Sequence, residues 1–123
     1  MGLVAFALFA SPARAVSRAA KSPRGVVYEQ TGTRGSTTRP FVVPRAWTLA
    51  WSFDCAKSPL PEGSFVVTVH AVSGSGVGPA EGPKVDEFGP NGSGRQTYAN
   101  SGRKTLVVIA QCPWTLKVLR GAR

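Results

Sequence analysis

A small antiparallel β-sandwich of about seven short strands is the all-β fold this sequence predicts, and three observations predict it. Apolar and polar residues alternate over several short segments, most cleanly over residues 47–55, where Trp47, Leu49, Trp51, Phe53 and Cys55 share one face. Clusters of Gly, Pro, Asn and Ser separate these segments at short intervals. Helical spacing of apolar residues is absent throughout. With 123 residues the chain has room for one hydrophobic core, so a single domain is expected over residues 26–123.

Residues 1–15 read as a signal peptide. Gly2 to Ala10 is an uncharged apolar run, and Ser11-Pro12-Ala13-Arg14-Ala15 follows with small residues where a signal peptidase reads, placing cleavage between Ala15 and Val16. The run is shorter than the ~20 apolar residues that span a bilayer, and no later segment competes with it, so no transmembrane segment is expected in the mature chain. A leader normally opens with positive charge, and no Lys or Arg precedes this run. A longer leader and an apolar N-terminal arm therefore both stay open, with export the favoured reading. Residues 16–25 are small and basic with no apolar period, which predicts a mobile basic arm.

Val26-Val27-Tyr28 predicts a short edge strand, followed by a polar loop over residues 31–38. Phe41-Val42-Val43 resumes strand character between Pro40 and Pro44, neither of which can donate to a ladder, so an edge position is expected. The alternating strand 47–55 comes next, then a turn over 58–63. Phe65, Val67, Val69 and Ala71 alternate with Val66, Thr68, His70 and Val72 in the strand after it. These two strands are expected to be antiparallel neighbours. Residues 73–84 are rich in Gly and Pro and have no apolar face, which predicts a long flexible connection. A short strand at 85–88, a turn over 89–94 and a strand at 95–99 follow. The closing strands are 103–112, with Leu106, Val108, Ala110 and Cys112 on one face, and 114–119, with Trp114, Leu116 and Val118 inward.

Two cysteines in a short chain with a leader imply one bridge, Cys55 to Cys112, because an oxidising compartment leaves thiols open to mispairing. Closing that loop restricts the unfolded chain by about 4 kcal/mol in the loop-entropy model. Leader and bridge together predict a secreted protein, or one on the extracellular face of the cell envelope.

The net charge of +9 is unevenly placed. From Val16 to Arg45 the bases Arg18, Lys21, Arg24, Arg34, Arg39 and Arg45 stand against Glu29 alone, whereas residues 46–119 are nearly balanced. A nucleic-acid domain carries its bases on a folded face interleaved with stacking aromatics, so no nucleic-acid partner is expected. The arm is suited at most to weak contact with anionic polymers or lipid head groups.

His70 is the only histidine, and its alternation with Phe65, Val67 and Val69 puts it on the solvent side of its strand without an accompanying nucleophile motif. Ser101 and Lys104 have the S-x-x-K spacing, but the residues around them read as strand, where the two side chains point to opposite faces. Gly74, Gly76 and Gly78 lack the spacing of a dinucleotide loop. Glu81, Asp86, Glu87 and Asn91 lack the fixed spacing of a calcium loop. Asn91-Gly92-Ser93 is a glycosylation sequon that also makes an ordinary turn. Trp47, Trp51 and Trp114 all fall on inward parity, which favours core packing over a sugar-stacking platform.

The order F-V-V-P-x-x-W at 41–47, W-S-F-D-C at 51–55, G-S-F-V-V-T-V at 63–69 and C-x-W-x-L-x-V at 112–118 resembles small secreted one-disulfide β-sandwich domains common in high-GC Gram-positive bacteria. Arg103-Lys104-Thr105-Leu106 stands where such domains often have aromatic residues. The resemblance implies the fold and a bacterial, extracellular setting, and it carries no activity.

No catalytic, cofactor or metal set emerges from these patterns. The expected function is that of a non-enzymatic binding module for an extracellular or envelope partner, with candidate binding loops at Ser73, Gly76, Gly78 and Glu81 and at Asn91, Gly92 and Ser93. The alternatives are an exported inhibitor that presents a rigid loop to a hydrolase, and a small extracellular hydrolase.

Overall fold

The computed structural model describes residues 25–121, so the expected signal peptide, its Ala15–Val16 cleavage site and nearly all of the basic arm lie outside the described residues. Strands β1 (Val26–Gly32), β2 (Ser36–Thr37), β3 (Phe41–Val43), β4 (Trp47–Asp54), β5 (Gly63–Ser73), β6 (Gly76–Gly89), β7 (Asn91–Tyr98), β8 (Gly102–Ala110) and β9 (Trp114–Arg120) make up the described chain. No helix among the described residues is long and apolar enough to cross a membrane.

The strands form two antiparallel sheets. One has the order β1-β9-β4-β7; the other has the order β2-β8-β5-β6, with β3 on β8 as well. The pairs are nested in sequence: β5 with β6, β4 with β7, β2 and β3 with β8, and β1 with β9. Such nesting, folded over into two facing sheets, is the winding of a jelly roll. It brings the two ends of the described chain together, where the Arg120 amide donates to the Gly25 carbonyl at 2.7 Å and the Gly121 amide to the Ala46 carbonyl at 2.8 Å.

The expected β-sandwich is therefore present, but β4 and β5 are not neighbours. They lie in opposite sheets. Each carries an apolar face that needs a facing sheet, and the connection from Cys55 to Glu62 arches across the sandwich instead of reversing within one sheet. Phe53 of β4 stacks on Phe65 of β5 at 5.1 Å, which is the packing of two facing layers. In the same core Trp47, Leu49, Val67, Leu106, Leu116 and Val118 are fully buried.

Two further expectations are corrected. Residues 76–84 are the first half of β6 rather than a flexible connection, and the turn before it is only Gly74-Ser75. This part of β6 is an exposed edge, so it shows no alternation, and Pro79 and Pro83 are tolerated there. Residues 91–94 belong to β7 rather than to a turn. A Cβ at Gly92 would lie 2.8 Å from the Phe53 ring, and one at Gly94 would lie 2.7 Å from Trp51. These glycines make room for aromatic rings.

The interruption between β2 and β3 is stitched by Thr38. Its amide donates to the Leu106 carbonyl at 2.9 Å, its hydroxyl accepts from the Leu106 amide at 3.0 Å, and its carbonyl accepts from the Thr105 hydroxyl at 2.6 Å. At the opposite end of the sandwich from Ala46 and Gly121, Cys55 and Cys112 form the expected bridge with their Cα atoms 5.0 Å apart. Such a bridge belongs to an oxidising, non-cytoplasmic location.

Candidate binding pocket

Lys104 continues the inward parity of Leu106 and Val108 on β8, so the alternation of the strand drives its side chain into the sandwich. Only 4 % of that side chain is exposed. An ammonium in such a place costs several kcal/mol in lost hydration unless a counter-charge meets it. Glu81 supplies the charge, with Lys104 Nζ donating to Oε1 at 2.6 Å.

A bulge positions Glu81. Val67 pairs with Val85 and Val69 with Glu81, so Gly82, Pro83 and Lys84 bow out of the β5–β6 ladder opposite Thr68. Gly82 takes φ +67°, and an added Cβ there would lie 3.0 Å from the Tyr98 ring. Across the open edge between the sheets, the Tyr98 hydroxyl donates to the Pro83 carbonyl at 2.7 Å. Burial pushes the Tyr98 phenol up from 10.0 to about 12, so it holds its proton and keeps this bond through the physiological range. Tyr98 in turn stacks on Trp47 at 4.5 Å, and the Trp47 indole N–H donates to the Asn100 carbonyl at 2.9 Å.

These contacts frame a cavity of about 260 Å³ at the end of the sandwich where β4 begins and β7 ends. Trp47, Val69, Pro83 and Tyr98 form its apolar wall, and Glu81 and Lys104 form its polar floor. Among the described residues Lys104 donates only to Glu81, so two of its three N–H groups have no protein acceptor. The floor can therefore give hydrogen bonds from Lys104 and accept them at Glu81.

Of the candidate binding-loop residues, only Glu81 belongs to this pocket, which also takes in Trp47 and Lys104, read in the sequence as core and as a chance spacing. Ser73 and Gly76 pair across the β5–β6 turn, and the Ser73 hydroxyl meets that of Ser75 at 3.0 Å. Gly78 offers its carbonyl to His70 Nδ1 at 2.9 Å. Asn91, Gly92 and Ser93 pair with Asp54, Phe53 and Ser52 on β4, toward the disulfide end. Lys104, Trp47 and Tyr98 were not anticipated as site residues. The signal for Lys104 was its place one alternation before Leu106.

His70 makes a second polar arrangement. Its Nε2 lies 2.8 Å from the Thr68 hydroxyl while Nδ1 faces the Gly78 carbonyl, the order of a hydroxyl, a base and an orienting acceptor. With Nδ1–H donated to that carbonyl, Nε2 is left to accept from Thr68. The trio lies on the outer side of β5, the face opposite Val67 and Val69, and neither His70 nor Thr68 lines the cavity above Lys104.

Compared with protein-family models, with curated proteins and with solved structures, the chain matches none.

Proposed function

We propose that this chain is a non-enzymatic binding module of the cell exterior or envelope, and that it takes its ligand in the pocket over Lys104 and Glu81. The observation that carries the reading is the Lys104 ammonium, nine-tenths buried and aimed into a cavity with N–H donors to spare. A charge used only to fasten the fold would be expected to exhaust its donors on protein acceptors, since buried polar groups are otherwise costly. The walls add apolar surface with a few convergent polar groups, the usual make-up of a small-molecule site. The disulfide supports an extracellular or envelope setting.

Thermal denaturation of the purified, oxidised protein in the presence of separate sets of sugars, amino acids, short peptides and organic acids tests the reading. At least one set should raise the melting temperature, and Lys104→Met should abolish the rise. No stabilisation by any set, or conversion of a stabilising compound into product, would overturn it. The intact mass of the natural protein in medium and envelope fractions tests its location: a chain starting at Val16 is expected there, and a full-length chain confined to the cytoplasm would contradict export.

A further inference from the structure

Resting on the binding reading above, we propose that the pocket takes a neutral hydroxylated ring, a single sugar residue. The Lys104–Glu81 pair is neutral as a unit, so the floor offers no net attraction to an anion or a cation. An anion would sit beside the Glu81 carboxylate, and a cation beside the Lys104 ammonium, each against a like charge. A zwitterion would bring two more full charges out of water to a floor whose own charges already cancel, a cost that neutral hydroxyls avoid.

Two neighbouring hydroxyls meet both needs without separating the pair. One oxygen accepts from a spare Lys104 N–H, and the adjacent O–H donates to the remaining lone pairs of Glu81, which keeps 28 % of its side chain exposed. The C–H face of a ring then lies on the apolar wall of Val69, Pro83 and Tyr98. A cavity of about 260 Å³ holds one ring, being just below the usual ~300–1,000 Å³ range of small-molecule sites.

A peptide also presents paired donors and acceptors, but the rim works against it. Strand addition needs an edge with regular N–H groups, and beside the pocket β6 is broken by Pro79, by Pro83 and by the bulge at Gly82.

The test is an NMR titration of the oxidised, isotope-labelled protein with the methyl glycosides of glucose, galactose, mannose and N-acetylglucosamine. Glycine, alanine and an N-acetyl dipeptide amide serve as the other arms. At least one glycoside should give saturable shifts centred on the Trp47 indole N–H and the amides of Tyr98 and Asn100. Lys104→Met should weaken that binding about tenfold or more, the loss expected for a hydrogen bond to a charged group. Ala99→Trp, exposed at the mouth and outside the core, should block it with the fold intact. Shifts produced by the amino acids or the dipeptide amide alone would overturn the sugar assignment and leave the binding reading standing. Silence from every probe, or glycoside shifts unchanged in both variants, would overturn the sugar assignment, and the melting screen would then decide the broader reading separately.

Discussion

Gly94 of β7 sits directly across from Trp51 of β4, so close that a methyl group on the glycine would lie 2.7 Å from the indole carbon Cζ2. Gly92 stands in the same relation to Phe53 one alternation away. Real Cβ atoms do not approach that closely, so either ring or strand would have to shift. Gly94→Ala should therefore destabilise the fold by about 1–3 kcal/mol, the usual cost of overpacking. Urea denaturation measures it, and Gly74→Ala, where an added Cβ meets nothing within 4 Å, should stay within about 0.5 kcal/mol of the parent.

The two ends of the buried ion pair should respond unequally. Glu81→Gln leaves the Lys104 ammonium buried without its counter-charge and should cost about 3–5 kcal/mol. Lys104→Met replaces the buried charge by an apolar chain of similar length and leaves Glu81 in reach of water, so it should be close to neutral or stabilising. Equal losses in the two variants, read from denaturation curves, would contradict the account of the pocket floor.

Tyr98 sets an alkaline limit. Its folded value of about 12 lies above the ordinary 10.0, so the folded state favours the protonated phenol. The stability this contributes is fully present below pH 10 and is lost as pH rises from 10 through 12. At 1.36 kcal/mol per unit the loss is about 3 kcal/mol. Tyr98→Phe should remove this component, so its denaturation midpoint should fall less steeply than the parent's across that interval.

Reduction should weaken the fold without scrambling it, because only one pairing exists among the described cysteines. The paired Cys55→Ala and Cys112→Ala variant should lose about 4 kcal/mol, the entropy of an open loop between those positions. Thiol alkylation of the native protein before and after reductant, followed by mass measurement, checks that both sulfurs are oxidised to begin with.

Much of the architecture was legible in the residues. The inward parity of Trp47, Leu49 and Phe53, that of Trp114, Leu116 and Val118, and the pairing of Cys55 with Cys112 all follow from periodicity or elimination, and the structure has each of them, with Thr48 buried as well and Trp51 only half-buried. Sheet membership was not legible, because alternation says which face of β4 is buried and nothing about whether β5 lies beside it or opposite. The first half of β6 was hidden for another reason: an edge strand that buries no apolar side chain leaves no apolar trace. Gly92 and Gly94 carry two readings in a sequence, turn or clearance, and only the rings beneath them decide. Lys104 was missed because the apolar face of β8 was read from Leu106 onward. One step back along the same face stands a lysine, and an inward charge on an alternating strand is itself a signal of a partner or a ligand.

The nesting of strand pairs also governs the order in time. The β5–β6 hairpin closes over Gly74-Ser75, so it costs little chain entropy and can form early. Each pair outside it must bridge a longer stretch, and β1 with β9 joins residues near the two ends of the described chain. A bridge already present between Cys55 and Cys112 shortens the search for β4 and β9, which pair along most of their length. Oxidised chains should accordingly refold faster than reduced ones, with β1, half-buried on the sheet's edge, the last strand to dock and the first to fray.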